Sequence, residues 1–487
     1  MNRIWDFIST YINNHSSSII SDHLISKSYK EILETVDLVG NKLKLAIRPK
    51  SKCIILCERE FNTMLAVLAC WKADIVPIIL SNNYGVEHGK KIIEKSRPHL
   101  FICDNNKNFV DPALDTNLPV FSITNGELTG KIDTHAPEYI LEDVALIMFT
   151  SGTTGEPKGA LITEKGLIAN VDDIAHYFNI NDKDKILISR PLYHSGVITG
   201  ELLVSLVKGV NIQFLDQKYN PRIIMEEILK NEITVFGGTP TLLHHLAFFT
   251  KRSAKKLGIR VIAISGECLS AYIAKEIRHV FGGIDIYHVY GLTEAAPRVS
   301  CLSPNLFDQY PESVGQSLRS VELRIVDDMG NTVGPNIDGN LLVRGPNIMK
   351  GYYNSNSTPI IDGWLWTKDI ACVDDAGLIF IKARADEMII KGGMNIYPQE
   401  IERLLMMNPD IKDIIAYGIR KKEGMRIGIN IVLSENVSLD KREIMSICSK
   451  SLSPYLLPDE INVVKTIDKN ASGKVIRPKI KVNWMGS

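Results

Sequence analysis

Short apolar runs alternate with amphipathic segments from residue 29 to about residue 290. Segments 53–57, 75–80, 99–103 and 144–149 are apolar and short, as buried strands are, whereas segment 29–43 repeats its apolar residues at helical spacing. Thr163 and the pair Thr239-Pro240 have the chemistry of helix N-termini. This alternation predicts an α/β fold of parallel sheets covered by helices.

Three successive predicted strands end in small or polar residues. Segments 233–236, 260–264 and 284–289 lead into Gly237-Gly238, Ser265-Gly266-Glu267 and Tyr290-Gly-Leu-Thr-Glu294. The carboxyl ends of neighbouring parallel strands line the ligand crevice of an open sheet. The sequence therefore predicts a ligand site where these three segments end.

The pattern changes at about residue 311. Segments 321–326 and 339–344 alternate apolar and polar residues, and turn signals separate them, which predicts a small antiparallel barrel or sheet. Residues 387–487 return to α/β character, with helices expected at 399–406 and 440–450 and strands near 413–419 and 426–433. This last part has the size of a small independent domain.

Composition excludes several functional classes. The chain has 487 residues, more than one ordinary core holds, and its 56 Lys and Arg balance its 56 Asp and Glu, which argues against a nucleic-acid partner. Its 8 cysteines are scattered without a Cys-x-x-Cys pair, so we expect reduced core thiols and no zinc site. No signal peptide or membrane-spanning run is evident, and a cytoplasmic location is the resulting expectation.

A small, hydroxyl-rich loop follows the apolar segment 144–149. Glycines let backbone N–H groups approach an oxyanion, and hydroxyls and a lysine add donors and charge. The loop lacks the Gly-Lys-Ser/Thr ending of a Walker A motif, and a second strand is expected at 160–163. Either a mobile hairpin turn or a phosphate loop between two strands fits these residues: Thr150, Ser151, Gly152, Thr153, Thr154, Gly155 and Lys158.

The complete run Ser-Gly-Thr-Thr-Gly-x-Pro-Lys-Gly resembles the phosphate loop of the adenylate-forming enzymes, which include acyl-CoA synthetases, aryl acid ligases and adenylation domains. Further matches follow in the family's order, from residue 29 to residue 477. The resemblance implies an N-terminal ATP- and acid-binding domain at 1–384, barrel-like at 311–384, a hinge at 385–386 and a small mobile α+β domain at 387–487. It implies two steps: a carboxylate attacks the α-phosphate of ATP, and a thiol then takes the acyl group.

The resemblance also implies roles for individual residues. Thr293 is expected at the α-phosphate, Glu294 at Mg²⁺, and Lys474 and His194 complete the catalytic candidates. Asp369 is expected to bind the ribose hydroxyls, and the remaining nucleotide, hinge and thiol candidates are Gly266, Glu267, Tyr290, Arg384, Asp386 and Gly393. His194 would border the acyl pocket, whose expected wall residues are Ser195, Val197, Gly238, Thr239, Ala295 and Ala296.

Several alternatives stay open from the sequence. The acceptor is coenzyme A or the phosphopantetheine of a carrier protein, and a non-catalytic nucleotide- or acyl-binding relative is a third hypothesis. The acid is expected to be an aryl or a medium- to long-chain acyl acid, and the chain to be a monomer or homodimer. Arg298 either forms a surface or interdomain salt bridge or receives a polar or anionic group of the substrate. Lys368 stands where the family usually has glycine.

Overall fold

A computed structural model describes residues 3–80, 86–104, 118–130, 141–151, 156–215, 220–253, 257–355, 358–391, 394–421 and 424–468. The chain divides into two compact units. The large unit comprises Met1–Leu269, Ile273–Leu323 and Val343–Leu365, and the small unit comprises Ser270–Tyr272, Arg324–Leu342 and Trp366–Ser487.

One sheet of the large unit has seven strands. Its central strands are parallel, as predicted, and the strand at each edge is antiparallel to its neighbour. The central strands are apolar on both faces because helices such as Tyr29–Ala46, Glu60–Lys72 and Val86–Ser96 accompany them. The strand order is Leu128–Thr129, Val120–Ser122, Leu100–Cys103, Lys52–Leu56, Val76–Ile79, Val144–Ser151 and Pro157–Thr163.

A second sheet has nine strands, with five neighbouring parallel pairs in its centre and antiparallel pairs towards both edges. The three strands whose ends the sequence singled out are adjacent in it, so the prediction of a shared edge is confirmed. The strand order is Gln316–Ser317, Arg298–Leu302, Asp285–Gly291, Val261–Ile264, Val235–Gly238, Lys185–Ile188, Asn211–Phe214, Ile19–Ser21 and Ser26–Ser28.

Capping side chains determine where several helices of the large unit begin. The Thr163 hydroxyl accepts a hydrogen bond from the Gly166 N–H, and the Thr239 hydroxyl accepts one from Leu242 at 3.3 Å, so both predicted caps are confirmed. One helix runs from residue 195 to residue 208, and its middle, Ile198–Leu203, is a π-helix. The other helices are Arg3–Asn14, Glu164–Tyr177, Pro221–Lys230, Pro240–Ser253, Ala271–Phe281 and Pro304–Phe307.

The segment after residue 311 forms a five-stranded sheet, and strand Trp364–Val373 is antiparallel to two of its neighbours, as predicted. Its strands are Glu322–Val326, Gly339–Arg344, Ile360–Ile361, Trp364–Val373 and Ile379–Arg384. Strand Ile379–Arg384 pairs with Trp364–Val373, which places Arg384 opposite Asp369.

The rest of the small unit is α+β, as predicted. Strands Ile411–Lys421 and Gly424–Leu433 form a long hairpin, and Glu460–Val463 lies parallel to the second of them. Isoleucines dominate the core between this sheet and the helices Pro398–Leu405 and Lys441–Ser451. A short hairpin of Ile389–Lys391 and Met394–Ile396 precedes the first helix. The hinge at 385–386 stays a prediction.

Six of the eight cysteines are buried, which confirms the prediction of mostly core thiols. Among the helices that the structure describes, none combines the length and the apolarity that crossing a membrane requires.

Candidate active site

The predicted phosphate loop closes a hairpin in the seven-stranded sheet. Thr150 pairs with Lys158 and Ser151 with Pro157, so the two strands are joined up to the base of the loop. The second strand begins at Pro157, three residues earlier than the sequence indicated. The Lys158 ammonium lies 5.2 Å from the centre of the Tyr352 ring, a cation–π distance. Gly152, Thr153, Thr154 and Gly155 lie outside the described residues.

The motif around Glu294 leaves the end of strand Asp285–Gly291 in a short 3₁₀ turn, Thr293–Ala295. We call Thr293–Ala295 the motif turn. A Cβ on Gly291 would lie 2.3 Å from the Pro297 carbonyl oxygen, so only glycine permits the close return of the chain here. The Leu292 N–H donates a hydrogen bond to the Pro297 carbonyl oxygen at 2.9 Å and so holds the two ends of the turn together. The motif turn is therefore a fixed feature of the fold.

Two polar side chains of the motif turn have defined neighbours. The Thr293 hydroxyl lies 3.2 Å from the Ser195 hydroxyl, at the start of helix 195–208. The Glu294 carboxylate accepts a hydrogen bond from the Tyr352 hydroxyl at 2.7 Å, which orients it. The next two residues, Ala295 and Ala296, are buried.

Glu294 is chemically suited to Mg²⁺ as one oxygen ligand among several. Within the described residues, no group of three His, Cys, Asp or Glu side chains could hold a metal ion by itself. Mg²⁺ usually takes one or two carboxylates and completes its shell with phosphate oxygens and water. A single oriented carboxylate therefore fits a magnesium ion that arrives with a nucleotide.

His194 is a neutral histidine at the start of helix 195–208. Burial, with a smaller contribution from the positive Arg190, lowers the pKa of His194 to about 3. Its ring lies against that of Tyr193, with 4.2 Å between ring centres. At neutral pH the imidazole is uncharged, so it adds polar atoms but no charge to its surroundings.

A buried charge cluster that sequence reasoning missed lies beside the same helix. Arg190 and Glu201 form an ion pair, and Glu201 is 2% exposed. A Cβ on Gly237 would lie 2.6 Å from the Glu201 carboxylate, so that glycine makes room for it. Arg298 is also buried, at 4% exposure, and the prediction of a surface salt bridge for it is wrong. A charged residue, Glu201, in an otherwise apolar predicted helix is the sequence feature from which a buried charge could have been predicted.

The ends of the neighbouring strands bring together further predicted residues. Ser265 donates its backbone N–H to the Gly238 carbonyl at 3.0 Å, and Gly266 has a φ of +95°, a conformation that favours glycine. The Glu267 carboxylate accepts hydrogen bonds from the hydroxyl and the backbone N–H of Thr241, at 2.7 and 3.2 Å. The structure thus places Gly238, Gly266 and Glu267 at one edge of the sheet, while Val197 is buried in helix 195–208.

The small unit contains a second group of predicted residues. Asp369 is 6% exposed and lies within strand Trp364–Val373. Arg384 lies 3.2 Å from the Asp369 carboxylate and 3.4 Å from that of Asp386. Burial opposes the charge of Arg384, but the two carboxylates prevail and raise its pKa. Lys368 has a φ of +65°, the conformation that the glycine usual in the family would favour. Gly393 and Lys474 lie outside the described residues.

Sequence reasoning also missed three residues that hold the motif turn in place. Tyr352 orients Glu294 from 58 positions further along the chain. The Asn347 carboxamide donates to the carbonyls of Ala295 and Arg298, and that of Asn170 donates to Arg298 as well. Tyr352 and Asn347 lie in an irregular segment without hydrophobic periodicity, so no sequence pattern marked them.

Comparisons with known proteins agree with this architecture. A family model described as AMP-binding enzyme matches residues 13–353, and a model described as AMP-binding enzyme C-terminal domain matches residues 400–474. A feruloyl-CoA synthase from Amycolatopsis sp. is 27% identical over 462 residues, which cover 93% of each chain. A 2-succinylbenzoate–CoA ligase from Bacillus subtilis is 28% identical over 443 residues, covering 90% of this chain and 88% of the relative.

A solved structure shares the fold over almost the full length. It is an O-succinylbenzoate coenzyme A synthetase from Bacillus subtilis in complex with ATP and a magnesium ion. The TM-score is 0.84 at 25% identity, and the match covers 96% of this chain and 98% of the other.

Proposed function

Because the chain belongs to the AMP-binding enzyme family, we propose that it is an ATP-dependent, AMP-forming ligase that joins a carboxylic acid to the thiol of coenzyme A. The observation that supports this most is the motif turn, which presents the Thr293 hydroxyl beside Ser195 and a carboxylate, Glu294, oriented by Tyr352. A hydroxyl donor and a magnesium-binding carboxylate on adjacent residues suit the α-phosphate of a nucleotide.

The first step is adenylation of the acid. A carboxylate oxygen attacks the α-phosphate of ATP, and pyrophosphate leaves as the acyl adenylate forms. Thr293 donates to an α-phosphate oxygen, and the loop from Thr150 to Lys158 holds the other phosphates. Glu294 would hold a Mg²⁺ ion, which would offset phosphate charge, and Lys474 stabilises the charge that develops during attack. The chain's part is positioning and electrostatic stabilisation, which is most of what phosphoryl-transfer enzymes supply.

In this proposal the ribose and the adenine of the nucleotide are bound by separate groups of residues. Asp369 accepts the two ribose hydroxyls, and Arg384 holds that carboxylate in place at 3.2 Å while contacting the nucleotide. Tyr290 stacks on adenine, and the backbone at Gly266 and Glu267 frames its edge. The fixed conformation of Gly266 and the double hydrogen bond on Glu267 suit this role, since both residues are ordered before the ligand arrives.

The second step transfers the acyl group. The thiol attacks the carbonyl carbon of the acyl adenylate, and AMP leaves with the carboxylate oxygen that attacked phosphorus. Gly393 would face the pantetheine arm, and His194 would border the junction of the acyl pocket and the thiol tunnel. The lowered pKa of His194, about 3, keeps its imidazole neutral at physiological pH and makes it too weak a base to take the thiol proton. The thiol therefore reacts as the thiolate, with its proton released to solvent, and His194 contributes polar atoms to the border of the pocket.

The acid is an aryl or a medium- to long-chain acyl carboxylate. The proposed pocket lies between the start of helix 195–208, the end of strand Val235–Gly238 and the motif turn. Relatives include proteins named feruloyl-CoA synthase and 2-succinylbenzoate–CoA ligase, which supports an aryl acid. The proposed wall residues are Ser195, Val197, Gly238, Thr239, Ala295 and Ala296, which are small or apolar.

The test is acid-dependent exchange of labelled pyrophosphate into ATP over a panel of aryl, fatty and amino acids. We expect exchange with aryl or acyl acids and transfer of the best acid to coenzyme A. Transfer to the phosphopantetheine of a carrier protein, with none to coenzyme A, would overturn the proposed acceptor. ATP binding without exchange for any acid would show a non-catalytic relative. Glu294→Gln is the matched inactive control, since it keeps the shape of the side chain and removes its charge.

A further inference from the structure

Arg298 is a buried cation whose guanidinium has no hydrogen-bond or ion-pair partner in the described part of the chain. The residue opens strand Arg298–Leu302 and is 4% exposed. Its side chain makes no hydrogen bond or ion pair within the described residues, and its Nε is buried without any acceptor. Arginine does not lose its proton in proteins, so the charge stays. A buried, unpaired charge is costly, and the fold gives no internal reason for this one.

Hydrogen bonds hold the backbone of Arg298, so the point from which its side chain extends is fixed. Its N–H donates to the Asn170 carboxamide oxygen at 3.1 Å, and its carbonyl accepts from the carboxamides of Asn170 and Asn347 at 2.8 and 3.0 Å. Asn170 and Asn347 are themselves buried. The structure thus fixes the base of a long cationic side chain at the edge of the motif turn.

Glycines on helix 195–208 make room for the guanidinium. A Cβ on Gly200 would lie 2.6 Å from Nη2 and 3.0 Å from Nε of Arg298, and one on Gly196 would lie 3.8 Å from Nη1. Gly196 follows Ser195, whose hydroxyl lies 3.2 Å from that of Thr293. The cation therefore lies along the same helix that reaches the proposed reacting phosphate. Gly200 belongs to the π-helical segment, and such segments occur often at functional sites.

Glu201 attracts Arg298, but its carboxylate is already shared with a second arginine, so the charge of Arg298 is not fully balanced. The nearest carboxylate of the cluster, Glu201, is engaged by Arg190, and its second oxygen is buried without a hydrogen bond. No ion pair joins Glu201 to Arg298 within the described residues. His194 is neutral because burial and Arg190 lower its pKa to about 3. Arg190, Glu201 and Arg298 together carry one net positive charge, which an anionic ligand would balance.

We propose that Arg298 binds a second carboxylate of the acid substrate, so that the preferred substrates are dicarboxylic acids. This inference rests on the proposed function, because it assigns one end of the acid to the α-phosphate near Thr293 and the other to the guanidinium. A guanidinium binds a carboxylate through two parallel N–H···O bonds, and burial strengthens the pair. The same charge disfavours the ammonium group of α-amino acids.

The first test uses the unaltered enzyme. Straight-chain dicarboxylic acids of three to about twelve carbons and the three benzenedicarboxylic acids are compared, each with its monomethyl ester, in ATP–pyrophosphate exchange. For the diacid whose length fits, we expect kcat/KM to exceed that of its own ester by roughly 30-fold or more, because the ester lacks the charge. Equal values for every diacid and ester pair would overturn the proposal.

The second test changes the cation and its surroundings. Arg298→Gln should remove the preference for the diacid over its ester while exchange with the ester remains. Gly200→Ala places a methyl group where the guanidinium lies and should reduce the preference in the same direction. Arg252→Gln removes an exposed arginine from helix Pro240–Ser253 and is the matched control, with the wild-type preference expected. A diacid preference that persists in Arg298→Gln would overturn the assignment to this residue.

A binding arm separates failure of this inference from failure of the proposed function. Two non-reacting acyl-sulfamoyl adenosines, one with a free terminal carboxylate and one with its methyl ester, are titrated by calorimetry. If no acid supports exchange, the proposed ligase activity fails, and the titration still decides the inference. The inference is supported if the compound with the free carboxylate binds more tightly and this difference is lost in Arg298→Gln. Equal binding of both compounds to the wild-type protein overturns the inference.

Discussion

The Ser195 hydroxyl lies 3.2 Å from the Thr293 hydroxyl, although 98 positions separate the two residues. This contact joins the start of helix 195–208 to the motif turn. Because Ser195 begins a helix and Thr293 begins the motif turn, the two hydroxyls are positioned before any ligand binds. The proposed acid pocket and the proposed phosphate site therefore share one boundary.

Tyr352→Phe should weaken Mg²⁺ binding without abolishing the reaction. The Tyr352 hydroxyl donates to Glu294 at 2.7 Å, and loss of a residue that orients a metal ligand typically costs about 10- to 100-fold in metal affinity. The measurement is the Mg²⁺ dependence of pyrophosphate exchange, with kcat at saturating Mg²⁺ largely retained. The control is Tyr353→Phe, whose hydroxyl faces Lys52. An unchanged Mg²⁺ dependence in Tyr352→Phe would remove this residue from the metal site.

Asp369→Asn should weaken ATP binding through the ribose. If the carboxylate accepts both ribose hydroxyls, the loss of charged hydrogen bonds raises the dissociation constant of ATP by about 10- to 100-fold. Calorimetry with ATP and 2′,3′-dideoxy-ATP on both enzymes forms a double-mutant cycle. Dideoxy-ATP should bind both enzymes equally weakly. A similar loss for both nucleotides on mutation would mean that Asp369 acts elsewhere, for example by holding Arg384, which lies at 3.2 Å.

His288 should make the large unit sensitive to acid. It is buried, its Nδ1 lies 2.8 Å from the Ser313 carbonyl, and burial lowers its pKa to about 4 despite that hydrogen bond. The unfolded chain takes up a proton below pH ~6.5 and the folded chain does not, so stability is present at neutral pH and falls as the pH drops from ~6.5 towards 4.

The expected size of this effect for His288 is about 2 kcal/mol between pH 7 and pH 5. His288→Asn keeps a donor for the Ser313 carbonyl and removes the titrating group. Between pH 7 and pH 5 the unfolding free energy of the variant should therefore fall by about 2 kcal/mol less than that of the wild-type protein. Urea unfolding at both pH values measures it, with the exposed His279→Asn as control. Parallel losses in wild type and His288→Asn would exclude His288 as the acid-sensitive group.

Lys474→Ala should separate the two half-reactions. Removing a cation from the developing charge at the α-phosphate costs about 10²–10³ in rate, so pyrophosphate exchange should fall by that factor. Thioester formation from a synthetic acyl adenylate should stay close to wild type, because the proposed lysine acts only on the first step. The control is Lys465→Ala, an exposed lysine of the same unit. Equal slowing of both steps would contradict the proposed role.

The sequence predicted those features that local chemistry determines. Thr163 and Thr239 are followed by helices because their hydroxyls cap the first turn, and the apolar run at 144–149 becomes a buried strand because helices cover its sheet. These signals act within a few residues, so they can be read without the fold. The motif around Glu294 was also visible, because its glycine and its polar residues follow a strand directly.

The rest depends on partners far apart in the chain. Tyr352 meets Glu294 across 58 positions, and the carboxamide of Asn170 meets Arg298 across 128. Nothing in the local pattern indicates such pairs, since packing of the whole sheet brings them together. The alternative of a surface salt bridge for Arg298 was wrong for this reason. Arg298 is the first residue of a strand, a position that the sequence suggests is exposed, but helix 195–208 covers it.

The most direct test of the account follows oxygen atoms through the complete reaction. The acid that supports exchange is labelled with ¹⁸O in its carboxylate and converted with ATP and coenzyme A, and the nucleotide product is analysed by mass spectrometry. If the carboxylate attacks the α-phosphate, each AMP formed carries one ¹⁸O from the acid, and the pyrophosphate carries none. ADP as the product, or ¹⁸O in the released phosphate instead of AMP, would contradict adenylation at this site.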